Sequence, residues 1–169
     1  MKVRFRRVAS VEPMINTPVR LRDVEQNDLP RLYEFNLDPD ANCLALTIPR
    51  SADAFNARWE ATLAVPNVVA KAILVGSSLA GSIVCFNRDG LDEVGYWLGK
   101  DFWGNGIASS ALNLLLKEIQ SRPLYARVAA SNRASLRVLQ KCGFVVERVH
   151  VSPATDRYLE CEEALLVLR

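Results

Sequence analysis

The sequence predicts an α/β (α+β) domain, with a mixed central sheet of about seven strands flanked by four helices. Three observations carry this expectation. Residues 68–98 hold three β-rich runs separated only by short turn-type connectors, and segments of helical period lie on both sides of them. The stretch 95–111, GYWLGKDFWGNGIASSA, passes from an apolar strand through a glycine turn directly into an amphipathic helix. At 169 residues, half of them apolar, the chain is long enough for one domain with a full-sized core.

Taken in order, residues 1–16 show no clear period and contain Pro13, so they read as an N-terminal extension ahead of a single domain at 17–169. Val19 to Leu21 is a short strand with Arg20 and Arg22 outward. A helix starts near Asn27, with Asp28 and Pro30 in its first turn, and stops before Asp38-Pro39. Residues 38–50 read as a loop whose Leu44, Leu46 and Ile48 are free to line a cleft. Ser51 caps a second helix that ends at Pro66. Val68–Val75, Leu79–Phe86 and Leu91–Leu98 are three consecutive antiparallel strands joined through Gly76-Ser77-Ser78 and Asn87-Arg88-Asp89-Gly90. A long helix over about 105–120, a strand at Leu124–Ala130 and a helix at Asn132–Lys141 closed by Gly143 follow. Phe144–Val149 and Leu159–Leu168 complete the sheet, giving the order β-α-α-β-β-β-α-β-α-β-β.

Composition narrows the function. Basic residues exceed acidic ones by 21 − 19 = 2, so there is no bulk electrostatic case for nucleic acid or an anionic membrane. The sequence shows neither a signal-peptide pattern nor an apolar run of membrane-spanning length, and a soluble cytoplasmic protein is expected. Cys43, Cys85, Cys142 and Cys161 form no C-x-x-C pair and His150 is the one histidine, so no metal site is expected and the cysteines read as small apolar residues.

The glycine turn is the informative stretch. Gly104 and Gly106 let the backbone approach a ligand with no Cβ in the way. The first N–H groups of the following helix lack intrahelical acceptors, so they can point at phosphate oxygens with the helix dipole behind them. Two glycines before a helix are either a site for a phosphate-bearing ligand or no more than a tight turn, and the second half of the chain favours the first.

Two motifs then stand in a set order. Trp103-Gly104-Asn105-Gly106-Ile107-Ala108 is similar to the acyl-CoA pyrophosphate loop of the GCN5-related N-acetyltransferase (GNAT) superfamily, in which Gln or Arg precedes x-x-Gly-x-Gly or Ala. Asn132, Ser135, Arg137, Val138, Leu139, Lys141, Gly143 and Phe144 resemble its second motif, N-x-x-S-x-R-V-L-x-K-x-G-F. The resemblance covers roughly residues 17–168. With Thr17, Arg20, Leu21, Arg22 and the GYWL before the loop, it extends to the RimJ/RimL-like branch, which acetylates protein α-amines. Two departures stand out: Trp103 replaces the first Gln or Arg, and Leu139 replaces a tyrosine that in many relatives protonates the departing thiolate.

The resemblance implies a GNAT fold and transfer of acetyl from acetyl-CoA to a primary amine by direct attack on the thioester, with no metal. The acceptor would be a protein N-terminus or a small molecule, and a homodimer is left open. The backbone of Gly104, Asn105, Gly106, Ile107 and Ala108, beside Trp103, would take the pyrophosphate. The pantetheine arm would pair with the end of the 91–98 strand, where a backbone N–H near Trp97 or Leu98 would face the thioester oxygen. Asn132 is a helix cap that would also touch the cofactor, and Arg137 reaches a CoA phosphate or is solvated. Ser135 would protonate the thiolate in place of the missing tyrosine, or it merely occupies the first turn of its helix; its spacing from Asn132 fits both. Glu93, ahead of Glu160 and Glu162, is the first choice for a base. The weak base signal favours an α-amine, whose pKa near 8 leaves about a tenth of it neutral at pH 7, over a lysine near 10.4. Two other readings remain: a non-catalytic acyl-CoA-binding module, and a nucleotide-binding α/β protein, against which the lack of Gly-Lys-Ser/Thr after the loop counts.

Overall fold

The computed structural model describes residues 17–169; the N-terminal extension expected over 1–16 lies outside the described residues. One seven-stranded sheet runs in the order β1-β2-β3-β4-β5-β7-β6. Its strands are β1 (Val19–Asp23), β2 (Val69–Val75), β3 (Ser78–Arg88), β4 (Leu91–Leu98), β5 (Leu124–Ala129), β6 (Val145–Ser152) and β7 (Cys161–Leu168). The helices are α1 (Leu29–Asn36), α2 (Pro39–Ala45), α3 (Ala52–Leu63), α4 (Ile107–Glu118) and α5 (Arg133–Lys141).

The meander β2-β3-β4 is antiparallel, as its connectors predict. Asp89 and Gly90 both hold positive φ, 53° and 83°, the geometry of a two-residue hairpin turn that follows the twist of the strands. The fold holds one helix more than the sequence suggested. Asp38-Pro39 reads equally well as a stop and a start, and here it starts α2: the Asp38 carboxylate accepts from Ala41 N at 2.8 Å and Pro39 occupies the first turn. Leu46, at φ 51°, then ends the helix in a left-handed residue.

Arg22 also differs from its expected outward, solvated place. It forms two hydrogen bonds with buried Asp28, at 2.6 and 2.7 Å, and Asp28 accepts from Glu25 N at 2.8 Å. This ties β1 to the start of α1, and the Arg22 guanidinium holds the Asp28 carboxyl below the usual range.

Adjacent residues on β4 assign the two layers. The Tyr96 hydroxyl meets Ser135 of α5, whereas the Trp97 indole donates to Phe35 O of α1, and neighbouring side chains on a strand point to opposite faces. So α5 and α1 cover opposite sides of the sheet. Ile73, Ile83, Leu112, Leu115, Leu124 and Leu166 form the buried centre. β6 is an edge strand with Val145, Val149 and Val151 exposed, and its pairing with β7 skips Glu147.

Two strand relationships shape what lies between the layers. β3 pairs with β4 along its length to Gly81↔Leu98, while the parallel pairing of β4 with β5 is confined to Glu93↔Tyr125. Beyond Glu93 the two parallel strands part. Gly81 fixes how closely β3 approaches the end of β4: a Cβ there would lie 2.1 Å from Trp97 O and 2.9 Å from Leu98 Cα. The Gly81→Ala variant is expected to lose at least about 1–3 kcal/mol through this backbone clash. Urea unfolding checks it, and a midpoint equal to the parent's would refute the close packing of these strands.

Candidate active site

The parting of β4 and β5 opens a cleft of about 390 Å³. Its walls come from the end of β4 (Tyr96, Trp97, Leu98), the loop 103–106 with the start of α4, and α5 with its cap (Asn132, Ser135, Arg137, Val138, Lys141); Ala41, Leu44 and Ala45 of α2 close one side.

The loop is shaped by its own sequence. Gly104 and Gly106 take φ of 76° and 72°, left-handed values that a side chain would strain. The Trp103 indole donates to Leu98 O at 3.1 Å, anchoring the loop to β4, and Asn105 Nδ2 donates to Trp103 O at 2.9 Å. The first helical hydrogen bond of α4 is Ser110 N to Gly106 O. No N–H from Gly104 to Ser109 has an acceptor among the described residues. Six donors in sequence at a helix start make an anion cradle, and α5 adds Arg137 and Lys141, one turn apart, to the same cleft. This fits a pyrophosphate.

At the other end lies a hydroxyl pair. Ser135 Oγ and the Tyr96 hydroxyl are 2.7 Å apart. Asn132 caps α5, its Oδ1 accepting from Ser135 N at 3.1 Å, and so fixes the backbone of Ser135 toward β4. Burial pushes the Tyr96 phenol up to about 12, against a lowering by its bond to Ser135 and with a small further rise from Cys142. Tyr96 is therefore a neutral donor at any physiological pH.

Most of the sequence-predicted residues meet here: Trp97, Leu98, Trp103, Gly104, Gly106, Ile107, Ala108, Asn132, Ser135 and Arg137 all line the cleft. Asn105 does not line it and holds the loop from behind. Glu93 is not brought there either. It is 2% exposed inside the sheet, with one carboxylate oxygen 2.7 Å from Arg127 Nε and the other 3.5 Å from Arg88 Nη1. Two guanidinium groups occupy its oxygens, and it serves the sheet as an ion-pair hub, not as a base at the cleft. Glu160 and Glu162 are also absent from the lining. Sequence reasoning missed Tyr96, although alternation along β4 puts it on the face opposite Trp97 and hence toward α5.

A family model described as "Acetyltransferase (GNAT) domain" matches residues 19–145. The chain belongs to the GNAT acetyltransferase family. It is an enzyme that moves an acetyl group from acetyl-CoA to an amine nitrogen. Among curated proteins, this GNAT chain is 27% identical over 148 residues to the "Putative ribosomal N-acetyltransferase YdaF" of Bacillus subtilis (strain 168), covering 79% of this chain and 81% of the other. Its fold is similar to spermidine N-acetyltransferase from Vibrio cholerae in complex with CoA and spermine, with TM-score 0.78 at 17% identity over 90% and 96% of the two chains. It is likewise similar to RimL, the ribosomal L7/L12 α-N-protein acetyltransferase, with TM-score 0.77 at 19% identity over 91% of both chains.

Tyr96 gives this GNAT cleft a titration signature. Its folded pKa of about 12 lies above the ordinary phenol value near 10, so its neutral form contributes stability that is complete below about pH 10 and is lost as pH rises toward about 12. In a spectrophotometric titration, the parent minus Tyr96→Phe difference should stay flat to about pH 11 and then show one late phenolate. A difference that rises near pH 10 would show that Tyr96 is not desolvated.

Proposed function

We propose that the protein acetylates protein N-terminal α-amines, as a member of the RimJ/RimL-like branch, with the Ser135–Tyr96 pair as the proton donor to the departing thiolate. The observation that carries this reading is the 2.7 Å contact between the two hydroxyls at the inner end of the cleft. Acetyl-CoA would lie with its pyrophosphate on the N–H groups of Gly104 to Ala108 and its phosphates near Arg137 and Lys141. Its thioester would reach the unpaired edge of β4, where a backbone N–H near Trp97 or Leu98 would face the carbonyl oxygen as negative charge develops there. The amine nitrogen forms the new bond to the acyl carbon as the carbon–sulfur bond breaks. Ser135 gives its proton to sulfur and regains one from Tyr96, whose phenol is too weak an acid to be ionised beforehand.

The second proton belongs to the amine. Among the described residues no carboxylate lines the cleft. An acceptor must therefore arrive largely able to shed its own proton to water, which an α-amine near pKa 8 does and a lysine near 10.4 does not. A polyamine, as in the complex of the Vibrio neighbour, fits less well, because several ammonium groups would need carboxylates, and none lines the cleft among the described residues. The name of the Bacillus relative supports the protein-acceptor reading.

Acetylation of peptides with a free α-amine should rise with pH to a plateau above about pH 8, whereas the same peptides blocked at the N-terminus and carrying lysine should react far more slowly. Ser135→Ala should reduce kcat about 100-fold with little change in acetyl-CoA affinity, and adding Tyr96→Phe should cost little more because the two act as one unit. Thiol release and acetyl-CoA calorimetry on the same samples read both. Parental kcat in Ser135→Ala would end the hydroxyl mechanism, and the absence of acetyl-CoA binding would end the reading of the loop.

A further inference from the structure

Arg157 is a buried charge that acetyl transfer does not use. It lies in the connection between β6 and β7 and is 7% exposed. Its segment is laid against the stretch that follows α2: Thr47 bridges Tyr158, Ile48 N donates to Arg157 O at 2.8 Å and Leu159 N to Leu46 O at 2.9 Å. Arg157 Nη1 donates to Ile48 O. Its Nε is buried without a partner, and no carboxylate lies within ion-pair distance of it among the described residues. Burial disfavours its charge, and the nearby charge of Arg50 disfavours it further. The rings of Trp97 and Tyr158, with centroids 5.9 and 6.0 Å from its Cζ, offset part of that cost. A guanidinium held in this way, with a second cation beside it, is half of an ion pair.

Its position says what the other half is. Trp97 lines the cleft and faces Arg157, on the side of the sheet opposite Tyr96 and Ser135. If the sulfur departs toward the hydroxyl pair, the acceptor comes past Trp97, whose ring centroid lies 5.9 Å from Arg157 Cζ. We propose that Arg157, supported by Arg50, binds a carboxylate carried close to the acceptor amine, so that the enzyme selects anionic acceptors; this rests on the acetyl-transfer reading above. An acidic side chain beside a peptide N-terminus and the α-carboxylate of a free amino acid offer the same group.

Two matched pairs of acetylated products test this by calorimetry on the CoA-loaded protein, with no need for turnover. The peptide pair is acetyl-Ala-Asp-Ala-amide and acetyl-Ala-Asn-Ala-amide; the amino-acid pair is N-acetylalanine and N-acetylalaninamide. The parent should bind the anionic member of at least one pair about tenfold or more tightly than its neutral partner, the scale of a charge-assisted hydrogen bond. The pair that discriminates identifies the source of the carboxylate. Arg157→Gln should bring that pair to parity, Arg157→Lys should keep part of the preference, and Arg50→Gln should reduce it. All three should retain parental acetyl-CoA affinity, which reports that the fold and the loop are intact. Parity in the parent, no binding of either anionic product, or a preference that survives Arg157→Gln overturns the proposal. Failure of the parent to bind acetyl-CoA overturns the transfer reading, and this inference with it.

Discussion

The separation of β4 from β5 is the constraint on which the site depends, and it is held from several directions at once. Trp97 is tied by its indole to α1 at 2.9 Å, and Tyr96 by its hydroxyl to α5. β3 takes the hydrogen bonds of one edge of β4 through to Leu98. Gly99 lets the strand leave past the Phe35 ring, where a Cβ would lie 2.4 Å from a ring carbon. Only the edge toward β5 remains free, so an extended ligand meets a strand whose position is already fixed and whose ordering has no further entropic cost.

Much of this was legible in the chain. The meander followed from three apolar runs and two tight connectors, and the loop from glycines placed immediately before a helix of strong apolar period. What was hidden falls into two kinds. One is ambiguity of local signals: Asp38-Pro39 is both a terminator and an initiator, and only the packing of Ala41 and Asn42 against neighbouring elements decides for α2. The other is pairing at long range. A glutamate on the strand that leads to the reaction centre has the right chemistry for a base, but Arg127, 34 residues away in sequence, claims Glu93. Tyr96 and Ser135 are 39 residues apart, and neither position alone shows that two hydroxyls meet.

Charge is distributed by task. Glu93, Arg88, Arg127 and Glu163 form a chain of ion pairs across β3, β4, β5 and β7, with His150 of β6 3.5 Å from Glu163. These charges satisfy one another around the buried Glu93, where removing one partner would cost more than the intact pairs add to net stability. The cations of the cleft are different. Arg137 and Lys141 line it and have no acidic partner among the described residues, and the same is true of Arg157, which lies against the ring of Trp97.

The skipped residue on β6 bears on how the molecule keeps to itself. As the outermost strand, with four exposed valines, β6 has the composition of a template for chain-to-chain pairing. Glu147 stands where the ladder breaks, between Val146↔Leu166 and Arg148↔Leu165, and its carboxylate is pinned by Arg169 at 2.8 Å. The kink and the charge interrupt the straight, apolar rim that amyloid-like stacking requires, so the protein carries its own guard against polymerisation at the place where its sheet would otherwise grow.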